Sequence, residues 1–167
     1  MKNVFHKFFN ISSLVLFCIS ILPIVLIEVS PELWACLNIF VCLFLSLWIF
    51  SITKILLQKN HCYREMKFEK FTTVLFLTNV YIVFLSIYFA LTFNKYEDPK
   101  WLLPIIITGQ FLLFYGLFYI VNFVAKVIST IETKRAVTFT DYSKYFFMFL
   151  LFPVGVWWLT PKIKSLR

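Results

Sequence analysis

Four side-chain amides interrupt otherwise apolar runs: Asn38, Asn79, Gln110 and Asn122. An amide carries both donors and an acceptor, and neither can be left bare in hydrocarbon. Two uses fit. The amides hydrogen-bond across neighbouring helices, each bond contributing about 0.6–2 kcal/mol, or they line a polar pathway along a shared axis. Interhelical bonding is the expected use and the pathway is the alternative. Other reactive groups are sparse. No apolar run carries an Asp or Glu in its middle, which argues against a proton-coupled transporter built on a buried carboxylate. His61 and Cys62 adjoin, yet no other Cys or His lies near them. Zinc needs a full set of placed ligands, so no metal and no other cofactor is expected. His61, Arg64 and Glu65 share one segment and make the best candidate set for an enzyme acting on lipid. No phosphate-binding glycine loop, nucleophile elbow or H-E-x-x-H motif accompanies them. The expectation is therefore a non-enzymatic protein.

The elements that hold these residues are set by hydropathy. The chain has 167 residues, is 61% hydrophobic and only 14% charged, with mean hydropathy +0.86. A soluble domain is about a quarter charged, so this composition cannot make a water-facing surface. Hydrocarbon is crossed by roughly 20 apolar residues in a helix. Stretches at about 8–27, 33–57, 71–93 and 101–125 qualify. None shows the alternating pattern of a transmembrane barrel. The first stretch is long for a signal sequence and no small-x-small cleavage site follows it, so it is expected to be retained. Ser30 and Pro31 can start the second helix, with Glu32 favourable in its first turn. Trp34 and Trp101 mark the same ends of their helices as interface anchors. Gly occurs 3 times, without a G-x-x-x-G pattern. The four cysteines show no C-x-x-C, and a disulfide framework is not expected.

Charge then orients the spans. Lys2 and Lys7 precede the first. Lys54, Lys59, Arg64, Lys67 and Lys70 follow the second, and Lys126, Lys134, Arg135 and Lys144 follow the fourth. The intervening segments carry only Lys95 and Lys100, against Glu28, Glu32, Glu97 and Asp98. The positive-inside rule puts the first group in the cytoplasm, with the N-terminus, and gives a net charge of +8 a topological meaning. The basic segment holding Lys59, His61, Arg64, Lys67 and Lys70 is expected to touch anionic headgroups or to dock a cytosolic partner. Nucleic acid is not the expected partner.

The segment from 141 to 160 runs into LFPVGVWWLTPK, residues 151–162. It is short for a span, and Pro153 and Gly155 interrupt its middle. The expectation is a re-entrant or interfacial helical hairpin. It turns at Pro153 and Gly155, returns Trp157 and Trp158 to the interface with Pro161, and leaves the C-terminus in the cytosol. The alternative is a kinked fifth span. Between the fourth span and this segment, residues 126–140 read as a short continuation of the fourth helix, with Thr140 or Asp141 capping the next.

The C-terminal third also carries a pattern. Ala125 and Lys126 are followed by Glu132, by Phe139, Asp141 and Tyr142, by Pro153, Gly155 and Trp157, and by Pro161, Lys162 and Ile163. This resembles small uncharacterised bacterial four-span membrane proteins with a P-[IV]-G-[IV]-W…P-[KR]-I motif. The chain departs from them at Thr160, where the pattern has Gln, and at Lys164, where it has Asn. The resemblance implies a fold and a bacterial cytoplasmic-membrane location, and no activity.

The expected architecture is a single all-α integral membrane domain over residues 1–167: four transmembrane helices plus the C-terminal hairpin. The leading functional expectation is a component acting by assembly with itself or a protein partner, such as an accessory subunit or an immunity or defence-type protein. A homo-oligomeric channel or pore is the alternative, and a lipid-active enzyme is the third reading.

Overall fold

The computed structural model describes residues 12–25, 30–59, 66–92, 103–151 and 154–166. All regular structure among them is helical: α1 (Ser13–Val25), α2 (Pro31–Lys59), α3 (Phe68–Thr92), α4 (Leu103–Thr133), α5 (Phe139–Leu150) and α6 (Val156–Ser165). Three segments are long and apolar enough to cross a bilayer, Glu32–Gln58, Phe68–Thr92 and Pro104–Thr133. These match the second, third and fourth expected stretches, as an integral membrane protein requires. The first stretch is represented by the 13 residues of α1, roughly 20 Å of helix at 1.5 Å per residue. Its flanks at 8–11 and 26–27 lie outside the described residues, as do Trp101, His61, Cys62, Arg64, Glu65 and Pro153.

Local chemistry fixes the helix ends. The Leu33 N–H donates to Ser30 Oγ at 3.1 Å, with Pro31 as the first helical residue and Glu32 in the first turn. α4 continues past its apolar run to Thr133. It stops where Lys134 takes a left-handed φ of 53°, its N–H closing on the Thr130 carbonyl at 2.8 Å. The N-cap of α5 is Thr138, not Thr140 or Asp141. Asp141 sits three residues on and reaches back. Its Oδ2 accepts the Thr138 N–H at 2.9 Å and the Thr138 hydroxyl at 3.0 Å. Those bonds, with the nearby Arg135 guanidinium, hold the Asp141 carboxyl below its ordinary range.

The helices pack in succession, α1 on α2, α2 on α3, and so on to α5 on α6. α6 then returns to α1, and α2 also meets α4. The core is uneven along the bundle. Trp48, Ile52, Leu56 and Leu57 of α2, Phe71 of α3, Val124, Val127 and Ile128 of α4, and Leu159 and Ile163 of α6 are all essentially inaccessible. They gather at one end, where α5 and α6 fill the gap between α4 and α1. Toward the other end the helices expose large apolar side chains, including Phe76 at 65%, Leu91 at 64% and Phe111 at 72%. In water such a surface would aggregate, whereas acyl chains solvate it.

α3 and α4 approach closely through two glycines of α4. A Cβ on Gly109 would collide with the Tyr81 ring, and one on Gly116 with the Thr78 hydroxyl. The Tyr81 hydroxyl also donates to the Ile106 carbonyl at 3.1 Å. The two glycines share a stripe of α4 at heptad spacing, the repeat of left-handed helix crossings, which a search for G-x-x-x-G does not detect.

Candidate functional site

Three polar features stand out against this apolar framework. The first joins α2 to α3. Asn38 Nδ2 donates to Ser86 Oγ at 2.9 Å, and Ser46 Oγ donates to Asn79 Oδ1 at 2.9 Å. Further bonds at these amides are local: Asn79 Nδ2 donates to the Leu75 carbonyl at 2.7 Å, and Cys42 Sγ approaches Asn38 Oδ1 at 3.8 Å. Asn38 and Ser46 lie roughly two turns apart on α2, as do Asn79 and Ser86 on α3. The lower-numbered residue of one helix meets the higher-numbered residue of the other, so the two bonds pin a single antiparallel register. Replacing Asn79 with Leu is expected to cost about 0.6–2 kcal/mol of stability in detergent, and combining it with Ser46→Ala less than the sum of the two single changes. A double-mutant cycle on the unfolding midpoint checks this.

The second feature is a fastening at the dense end of the bundle. Glu132, on the last turn of α4, accepts Lys162 Nζ of α6 at 2.5 Å on Oε1. Its other oxygen accepts the Tyr145 hydroxyl of α5 and faces Lys144 Nζ at 3.7 Å. One carboxylate thus holds α4, α5 and α6 together. Nearby, the Ser129 hydroxyl donates to the Asp141 carbonyl at 3.3 Å. Since Asp141 begins α5 and Lys162 ends α6, both limbs of the pair have their free ends beside the end of α4. Between them the chain reverses so tightly that a Cβ on Gly155 would lie 1.8 Å from the Met148 carbonyl oxygen.

The returning helix α6 buries Val156, Leu159, Thr160 and Ile163 on one face. Trp157 leaves that face to meet Phe17 of α1 edge-on, ring centroids 5.6 Å apart. Trp158 is exposed, and so is Pro161, which lies inside α6. The Thr160 hydroxyl bonds back to the Val156 carbonyl at 2.8 Å.

The third feature is a cavity of about 300 Å³ between the start of α3 and the second half of α4, lined by Met66, Lys67, Tyr119, Asn122, Phe123 and Lys126. Lys70 reaches over it, with its ammonium 5.5 Å from the centre of the Tyr119 ring. Phe123 stacks on Phe71 at 4.6 Å and forms the apolar wall.

The expected site residues therefore separate. Asn38 and Asn79 sit between α2 and α3, Asn122 lines the cavity, and Gln110 is half-buried higher on α4. Lys67 lines the cavity, Lys70 lies over the Tyr119 ring, Lys59 ends α2, and His61 and Arg64 lie outside the described residues. Glu132, Tyr145, Tyr119 and Lys126 complete these features, and of them only Lys126 and Glu132 stand in the C-terminal sequence pattern. Each is an ordinary type on an amphipathic segment, and only its three-dimensional neighbours give it a role. Among the described residues no group of His, Cys, Asp and Glu could hold a metal ion. No family model, curated protein or solved structure matches the chain.

Proposed function

We propose that the chain is a four-span protein of a bacterial cytoplasmic membrane. Both termini are cytosolic, α5–α6 is a re-entrant hairpin, and the protein works without catalysis by assembling with a second copy or a protein partner at its basic cytosolic face. The observation that carries the assembly reading is where the polar groups go. Asn38, Asn79 and Glu132 are engaged between helices of the same chain, while the exposed Lys67 and Lys126 line one cavity and the exposed Lys70 lies over its Tyr119. The interior is arranged for holding helices together, and the cations are arranged for meeting something else. The hairpin reading is supported by Glu132, which brings the end of α6 back to the end of α4, and by helices α5 and α6 of only 12 and 10 residues, each too short for a bilayer core of about 30 Å.

Two experiments test this. In a background lacking the native cysteines, a cysteine at Ser165 is expected to resist a membrane-impermeant maleimide in intact cells and to react after permeabilisation. Labelling from outside would establish a fifth crossing and overturn the hairpin. Crosslinking in membranes followed by isolation in mild detergent is expected to recover a second copy or a partner, and a monomer that captures neither sinks the assembly reading. A pore built by several copies would have to rest on Gln110 and Asn122, because the other two amides bond within the chain.

A further inference from the structure

We propose that the cavity between α3 and α4 is a binding site for one anionic phospholipid, its phosphate held by Lys67, Lys126 and Asn122 and its acyl chains lying along the aromatic face of α4. This rests on the topology proposed above, which places the cavity at the cytosolic leaflet.

Three observations converge. First, among the described residues the side chains of Lys67, Lys126 and Asn122 have no partner in a hydrogen bond or ion pair. An amide donor flanked by two ammonium groups is suited to a phosphate oxygen, which accepts strong charge-assisted hydrogen bonds. Asn122 and Lys126 are one helical turn apart, so both extend from one face of α4, while Lys67 comes from the chain just before α3. Second, the volume is that of a small-molecule pocket, and its apolar wall of Met66 and Phe123 fits the glycerol backbone of a lipid better than a fully hydrated ion. Third, an aromatic ladder leads away from it along α4. Phe123, Tyr119 and Tyr115 stack successively at 6.4 Å, and Tyr115 is 61% exposed at the far end. A polar head site that continues into an exposed apolar track on the same helix matches an amphiphile. A nucleotide or free phosphate would use only the upper part. Lys70, held over Tyr119, adds a third positive charge without being drawn into the cavity.

The test uses the full chain reconstituted in vesicles of phosphatidylcholine with or without phosphatidylglycerol, with lipid retained through delipidating washes quantified by native mass spectrometry. The wild-type chain is expected to retain about one phosphatidylglycerol in preference to phosphatidylcholine. The Lys67→Gln, Lys126→Gln double variant is expected to bind it roughly 30-fold more weakly, since each cation near an anionic surface is worth about a factor of five. Asn122→Leu should weaken retention while keeping every charge. Lys164→Gln, an equal charge loss on α6, should leave it unchanged. Helicity and elution volume identify any variant that fails to fold, and Asn122→Leu then decides.

Unaltered retention in both the double and the Asn122 variants overturns the site. An equal loss in Lys164→Gln reduces it to diffuse charge and also overturns it. Competition by glycerol phosphate as effective as by the lipid would overturn the lipid in favour of a free phosphate ligand. Maleimide labelling of Lys67→Cys separates the two proposals: reaction from outside intact cells overturns the topology, whatever the retention assay shows of the site.

Discussion

Gly155→Ala is expected to unseat the α5–α6 hairpin and to lower stability by about 3 kcal/mol, the upper end of ordinary overpacking. The added methyl would lie 1.8 Å from the Met148 carbonyl oxygen and 2.6 Å from its carbon. Both are main-chain atoms inside α5, so no rotamer change relieves the clash. Relief needs the two helices to part, which would draw Val156 and Leu159 out of the core and pull Lys162 from Glu132. Backbone freedom is not the cause, because Gly155 has an ordinary right-handed φ of −60°. Gly109→Ala supplies the comparison. There the methyl would meet the end of the Tyr81 side chain, which can swing aside for about the value of one hydrogen bond, roughly 1 kcal/mol. Thermal unfolding in detergent should show the Gly155 variant melting well below the Gly109 variant, and limited trypsin digestion should cut at Lys162 and Lys164 earlier. Equal midpoints would mean that the turn does not close on Met148.

Glu132→Gln is expected to loosen the same end of the bundle by about 2–3 kcal/mol. A hydrogen bond to a charged group contributes about 1.5–3 kcal/mol, and Glu132 has two, to Tyr145 and Lys162. Solvent screening reduces the sum, since the Glu132 side chain is 28% exposed and that of Lys162 37%. Lys162→Gln should cost less than Glu132→Gln, because the carboxylate keeps Tyr145 and Lys144. Lys144→Gln should cost little, its pair being 3.7 Å long with the lysine 57% exposed. The expected order of unfolding midpoints is therefore Glu132→Gln lowest, then Lys162→Gln, then Lys144→Gln close to wild type. The reverse order would show that the helices are held by apolar packing alone.

Much of the fold is legible without coordinates. Apolar runs of span length are a direct consequence of what hydrocarbon tolerates, so α2, α3 and the start of α4 lie within a few residues of the 33–57, 71–93 and 101–125 stretches, and α4 runs on to Thr133 into the expected continuation at 126–140. Ser30, Pro31 and Glu32 mark the start of α2 because a helix end needs an acceptor for its free N–H groups, a need met locally. The break near Gly155 is visible for the same reason, as a proline and a glycine in a short apolar segment. The cap of α5 is read a few residues late. Thr138, Thr140 and Asp141 are all good cap residues, and the choice among them depends on where the chain leaves Lys134.

The candidate sites divide along the same line. Sequence identifies Asn38 and Asn79 as polar groups needing partners, but Ser86 and Ser46 become those partners only once α2 and α3 adopt their antiparallel register. Residues 30 positions apart, Glu132 and Lys162, meet because α5 and α6 run away from the end of α4 and back to it. Asn122 stands out in sequence as an amide needing a partner, but only the start of α3 sets Lys67 beside it and Lys126 around one cavity. Composition and hydropathy were sufficient by themselves for an all-helical fold of the described residues and for the three long spans, since each depends on a residue and its immediate neighbours facing a given solvent, whereas the first of the four expected spans is described only as the 13 residues of α1. Which amides bond, which carboxylate joins three helices and which cations line one cavity were decided only by the tertiary structure. Those are contacts between distant segments, set by helix register and by the close approach that three glycines permit.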